Sequence, residues 1–89
     1  MATVFVRHRV ADYDRWKQGY DSWQSVRKER GVKGDGVYRS EDDPNDITVY
    51  EEFDSMQAAK SFAAQDDLKQ QMVEIGVQGT PQIWFANRV

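Results

Sequence analysis

The chain has 89 residues, a formal net charge of −3, 39% hydrophobic and 30% charged residues, and three Trp, four Tyr and four Phe. That composition describes one folded domain over residues 1–89 rather than a disordered chain, and a domain so small gains stability readily from a partner subunit. The absence of cysteine excludes disulfides, thiolate nucleophiles and cysteine metal sites, the single histidine excludes multi-histidine zinc sites, and the acidic balance argues against a nucleic-acid partner.

Residues 1–40 hold nine Lys/Arg against five Asp/Glu, whereas residues 41–89 hold three against ten. Opposite charges from the two halves are expected to interleave in one compact domain. The start MATVFVRHRV lacks an apolar stretch followed by a small-residue cleavage site, and no run approaches the roughly 20 apolar residues of a membrane span, so a cytoplasmic protein is expected.

A first strand is predicted over residues 3–10, where Val4, Val6, His8 and Val10 alternate with Phe5, Arg7 and Arg9. Successive strand side chains point to opposite faces, so the only histidine joins an apolar row. Asp12 is placed to cap a following helix of about 18 residues, in which Tyr13, Trp16, Tyr20, Trp23 and Val26 recur at spacings of three and four. That stripe reads either as core packing or as an aromatic ligand wall.

Gly31, Gly34 and Gly36 spell G-x-x-G-x-G, but they close a helix and open a strand, the reverse of a phosphate-binding loop, and are read as turn residues. GVYRS is a second short strand, SEDDPNDI a loop, and ITVYEEF, residues 47–53, the third strand. The acidic run Glu41, Asp42 and Asp43 lacks calcium-loop spacing and reads as a solvated turn, so no metal is expected. Asp54 with Gln57 suggests a capping box for a helix whose inner face is Met56, Ala59, Phe62 and Ala63. A further helical segment carries Leu68, Met72 and Ile75 and ends at Gly76. After GVQGTP, a fourth strand is expected to begin at Pro81 and run through QIWFANRV.

The order β-α-β-β-α-β defines an α+β fold, a ferredoxin-like sandwich with a four-stranded antiparallel sheet and helices on one face. With the valines of the first strand turned toward the helices, the opposite face shows Phe5, Arg7, Arg9, Thr48, Tyr50, Glu52, Gln82 and Trp84.

At this point the chain resembles the antibiotic biosynthesis monooxygenase-like family of the dimeric α/β-barrel superfamily. The likeness runs nearly end to end, through VRHRVADYDRW followed by Tyr20-Asp21, VYRSEDDPNDITVYEEFD, the AAKSFA helix and the late G-x-x-G-x-P-Q-I. It implies a homodimer with two sheets face to face, and Phe5, Arg7, Arg9, Tyr50, Glu52 and Trp84 are then the interface residues. The superfamily includes cofactor-independent quinone-forming monooxygenases, haem-degrading oxygenases, lactone isomerases and polyketide cyclases, typically with the pocket between helices and sheet. Its haem-degrading members use an Asn, a Trp and an axial His at positions that here are His8, Phe53 and Met72, which disfavours haem degradation; no cofactor is expected.

The expected pocket is bounded by Trp16, Tyr20, Trp23, Phe53, Phe62 and Met72, the alternative being a filled core. The first strand should lie antiparallel to the third, with Ile47, Val49, Glu51 and Phe53 facing the helices. Glu51 is then expected directly or diagonally opposite His8. His8 would act as a base with Glu51 orienting its ring and Tyr20 as an additional donor; the alternative is a pair that merely satisfies itself. Two functions stay open: an enzyme acting on a small aromatic or polyketide-like substrate, or a non-catalytic module that binds or senses a small molecule. RNA binding, which also uses this strand order, is opposed by Glu51 and Glu52 on the third strand.

Overall fold

A computed structural model describes residues 1–89. The alternation of the first nine strand residues becomes β1, Ala2–Val10, followed by α1, Tyr13–Ser22, and α2, Gln24–Glu29. The chain continues through β2, Gly34–Arg39, β3, Asp46–Phe53, α3, Met56–Ala63, α4, Asp66–Glu74, and β4, Val77–Asn87. The strands form one sheet in the order β2-β3-β1-β4, with every neighbouring pair antiparallel. All four helices cover one face, which is the expected ferredoxin-like arrangement. No helix is long and apolar enough to cross a membrane.

Asp12 caps α1 by accepting the Asp14 backbone N–H at 3.0 Å. Instead of one long helix, the chain breaks at Trp23 (φ −96°, ψ 8°). The Ser22 hydroxyl donates to the Gly19 carbonyl at 2.7 Å, the kind of local bond that competes with a helical ladder. The break leaves the Tyr20 carbonyl open to the Arg27 guanidinium, which donates to it at 2.5 Å. Gly31 then turns the chain out of α2 with φ +104°, a conformation a residue with a Cβ rarely adopts. The cap of α3 is Ser55, which accepts from the Ala58 N–H at 3.1 Å, and not Asp54. Asp66 and Asp67 lie in the first turn of α4, where carboxylates complement the helix dipole.

β4 begins four residues earlier than the proline suggests. Arg7 stands opposite Gln82 and Arg9 opposite Gln78, so Gly79, Thr80 and Pro81 bulge outward against His8 alone. Gly79 takes φ +68° within the bulge, and the ladder resumes on its far side.

The core consists of two clusters. Ala2, Val4, Val32, Phe53, Ala59 and Phe62 form one, and Val10, Trp16, Ile47 and Val49 the other. Trp16, Phe53 and Phe62 are almost wholly buried, each stabilising the fold by roughly 1.5–3 kcal/mol relative to exposure. On the helix-facing row of β3, Ile47 and Val49 belong to one cluster and Phe53 to the other. Glu51 occupies the position between them.

Candidate functional site

Two cavities meet at that position. The larger, about 360 Å³, lies under α4 beside β4, and its wall is apolar: Val4 and Val6 from β1, Phe62 from α3, Leu68, Met72 and Val73 from α4, Ile83 from β4. The smaller, about 60 Å³, lies under α1 and is lined by His8, Trp16, Tyr20, Trp23, Arg27 and Gln71. Val6, Glu51, Leu68 and Met72 border both. Glu51 is the acidic group common to the two spaces.

Glu51 is buried and its carboxyl accepts no hydrogen bond from a side chain; the nearest cation, Arg27 Nε, stands 3.9 Å from Oε2. Burial pushes the carboxyl up from 4.5 to about 7, with Arg27 opposing and Asp35 reinforcing the rise. Near neutral pH the group therefore exists in both charge states, as a general acid–base requires.

Arg27 holds the polar corner of the small cavity. Its guanidinium lies 3.6 Å from the centroid of the Tyr20 ring, donates to the Tyr20 carbonyl and stands 3.6 Å from Asp35. The Tyr20 hydroxyl donates to Asp35 Oδ2 at 2.7 Å. Burial and that bond raise the phenol's pKa, so Tyr20 keeps its proton and commits it to Asp35. Tyr20 thus orients the corner in place of donating into the cavity.

His8 is only 7% exposed. It packs edge-to-face on Trp16 with centroids 5.5 Å apart, and its Nδ1 is buried without a hydrogen-bond partner. Burial lowers its pKa from 6.5, against smaller opposing effects of its own backbone and Asp46, so the neutral imidazole prevails at neutral pH. The expected juxtaposition with Glu51 is not found. His8 pairs with Ile47, and Glu51 pairs with Val4 four positions along β1. The two groups share the small cavity without forming a hydrogen-bonded pair.

Of the expected pocket residues, Trp16, Tyr20 and Trp23 line the small cavity, Phe62 the large one and Met72 both. Phe53 lines neither: it is fully buried against Phe62, centroids 5.4 Å apart, in the first core cluster. Arg27 and Asp35 were not singled out from the sequence. The signal for Arg27 is its place in the series 16, 20, 23, 27, which continues the aromatic stripe with a cation facing the inward glutamate of β3. Nowhere do three His, Cys, Asp or Glu side chains converge as a metal site.

On the opposite face, Phe5 stacks on Trp84 with centroids 5.4 Å apart, and Tyr50 lies 6.2 Å from Tyr38. Arg7 pairs with Asp46, Arg9 with Asp43 and Arg88 with Glu52.

A small antiparallel sheet with helices on one face and a cavity between the layers defines a ferredoxin-like fold. The family model for antibiotic biosynthesis monooxygenases matches residues 7–72, and the chain belongs to that family. Among solved structures, it is similar to a candidate antibiotic biosynthesis monooxygenase from Bordetella bronchiseptica, with 16% identity, TM-score 0.81, and 99% of this chain and 96% of that one covered. It also resembles the cofactor-independent oxygenase SnoaB from Streptomyces nogalater, with 12% identity, TM-score 0.75, and 99% and 94% covered. A third, a candidate antibiotic biosynthesis monooxygenase from Caulobacter crescentus, shows 20% identity, TM-score 0.77, and 99% and 89% covered. At these identities the likeness establishes the fold. No curated protein matches the sequence.

Proposed function

We propose that the protein is a cofactor-independent enzyme that takes a proton from a small hydroxyaromatic or polyketide-like substrate, with Glu51 as the base. The observation that supports this reading is the Glu51 carboxyl, raised to about 7 and bordering both cavities without a hydrogen-bond donor of its own. The substrate body occupies the large apolar cavity, and its hydroxyl reaches Glu51. Proton transfer alone suffices for an isomerase or cyclase. For an oxygenase, the phenolate is electron-rich enough to reduce dioxygen directly: a ring C–H para to the hydroxyl becomes C=O, one oxygen atom enters the quinone, and the other leaves as water. Membership of the monooxygenase family favours the oxygenase outcome. The active molecule is a homodimer joined through the open sheet face.

The test is oxygen uptake and product formation with a panel of phenols and 1-naphthols whose ring carbon para to the hydroxyl carries hydrogen. Glu51→Gln should lower kcat/KM at least 10²-fold. The wild-type value should rise with pH through about 7 as the carboxyl ionises. Wild-type turnover retained by Glu51→Gln would overturn the assignment. Stabilisation by ligands without turnover would replace it with the binding or sensing module.

A further inference from the structure

We propose that the cavity selects an amphiphilic aromatic acid, with an anionic group seated at the mouth by Lys69 and Thr80 and a hydroxyl delivered to Glu51 at the floor. The inference rests on the reading of the large cavity as a substrate site and adds the chemical class of its occupant.

Only three polar side chains line that cavity: Glu51, Lys69 and Thr80. They are not equivalent. Glu51 is buried in the sheet layer, whereas Lys69 is exposed on α4 and Thr80 is exposed on the β4 bulge. The line from floor to mouth therefore runs from an acid to a cation and a hydroxyl. The mouth is rimmed by Val73 and Ile83, which are 74% and 43% exposed, giving an apolar lip around that polar pair.

Lys69 forms no ion pair, no side-chain hydrogen bond and no contact with an aromatic ring within the chain, whereas each of the other two cations of its acidic half has a partner. Residues 41–89 contain three cations, Lys60, Lys69 and Arg88. Lys60 lies 5.8 Å from the Phe85 ring centroid, and Arg88 pairs with Glu52 at 3.3 Å. Lys69 is left with its charge at the cavity mouth. An ammonium and a hydroxyl lining the same cavity are donors suited to a carboxylate.

The same charges set the direction of binding. A ligand carboxylate pushed toward the floor would meet a buried acid and lose its hydration with only the partly shielded Arg27 beyond. At the mouth it keeps water and gains a cation. The neutral hydroxyl is the end that tolerates burial, and it arrives where a base can accept its proton. A cavity of about 360 Å³ lies within the size range of small-molecule sites.

The experiment compares 6-hydroxy-2-naphthoate, 2-naphthol and 2-naphthoate by calorimetric titration. Wild type should bind 6-hydroxy-2-naphthoate about fivefold to tenfold more tightly than 2-naphthol, a margin that shrinks in high salt. Lys69→Gln should abolish the margin while leaving 2-naphthol affinity unchanged, and Lys69→Glu should invert it. Glu51→Gln should preserve the carboxylate preference, so failure of the base assignment is read separately from failure of this one. Equal wild-type affinities, or a preference that survives Lys69→Gln, would overturn the inference. If none of the three compounds binds, the cavity reading fails and this inference with it. A dimer cross-linked through Val73→Cys would also overturn it, because a second copy would then cover the mouth.

Discussion

Glu51 and His8 face the same side of the sheet and act on folding stability in opposite senses as pH changes. Glu51 titrates at 4.5 ordinarily and at about 7 in the fold. Between those values the folded state holds more proton than the unfolded one, so its contribution falls as pH rises, by on the order of 3 kcal/mol across the window. His8 is lowered from 6.5, so below that value the unfolded state holds more proton and stability falls as pH drops. Glu51→Gln should therefore gain stability over wild type as pH rises from 5 to 8. His8→Gln should lose the part of the acid sensitivity that sets in just below pH 6.5. Urea midpoints at several pH values check both; a Glu51→Gln difference that does not change with pH would contradict the raised carboxyl. Asp46 and Asp67, held below the usual carboxylate range by Arg7 and Arg30, act at lower pH and do not blur the comparison.

At the scale of elements, α1 and α4 meet through Gly19. A Cβ built there would stand 2.3 Å from Ile75 Cγ2 and 2.9 Å from its Cβ, so the glycine permits a close approach that helix propensity alone would oppose. Gly19→Ala should cost about 1–3 kcal/mol despite the better helix former, because branching at the Ile75 Cβ leaves little room to yield. Stabilisation in a thermal melt would show that the contact is slack. The sheet and helix layers were legible in the sequence because the period-two rows of β1 and β3 and the three-and-four spacing of Trp16, Tyr20 and Trp23 each assign a face. The register was not. A slip of two residues keeps every side chain on its face, so alternation placed His8 and Glu51 on one surface but could not show that Ile47, and not Glu51, stands beside His8. The start of β4 was hidden for a different reason: Gly79 and Pro81 carry turn chemistry, and a bulge uses the same residues as a loop. Arg27 was hidden because a cation near a helix end ordinarily reads as solvated, and only the packed structure turns it against Tyr20 and Glu51.

For the whole molecule, only 14 of 89 residues are buried, a thin core for an independent chain. The open sheet face leaves Tyr38 63% and Trp84 44% exposed, with Phe5 and Tyr50 half-buried between them around a groove of about 360 Å³. Gly36 belongs to the same surface: a Cβ there would fall 2.3 Å from Tyr50 Cε1, so its absence lets the tyrosine ring lie across β2 and flatten the face. The charges on this side are already matched within the chain, Arg7 with Asp46, Arg9 with Asp43 and Glu52 with Arg88. A partner presenting the same surface therefore meets aromatic rings flanked by internally paired ions, and apolar burial rather than charge attraction would drive association. The expected outcome is a dimer at micromolar concentration in sedimentation equilibrium, little weakened by 0.5 M salt, whose melting temperature rises with protein concentration. Trp84→Asp should place a charge at the centre of that contact and shift the equilibrium to monomer, lowering the melting temperature while leaving the monomer's secondary structure intact. A wild-type monomer at that concentration would remove the proposed assembly. A dimer that dissociates in salt but tolerates Trp84→Asp would move the interface to a charged surface instead, since the stacked Phe5–Trp84 pair could not then be its centre.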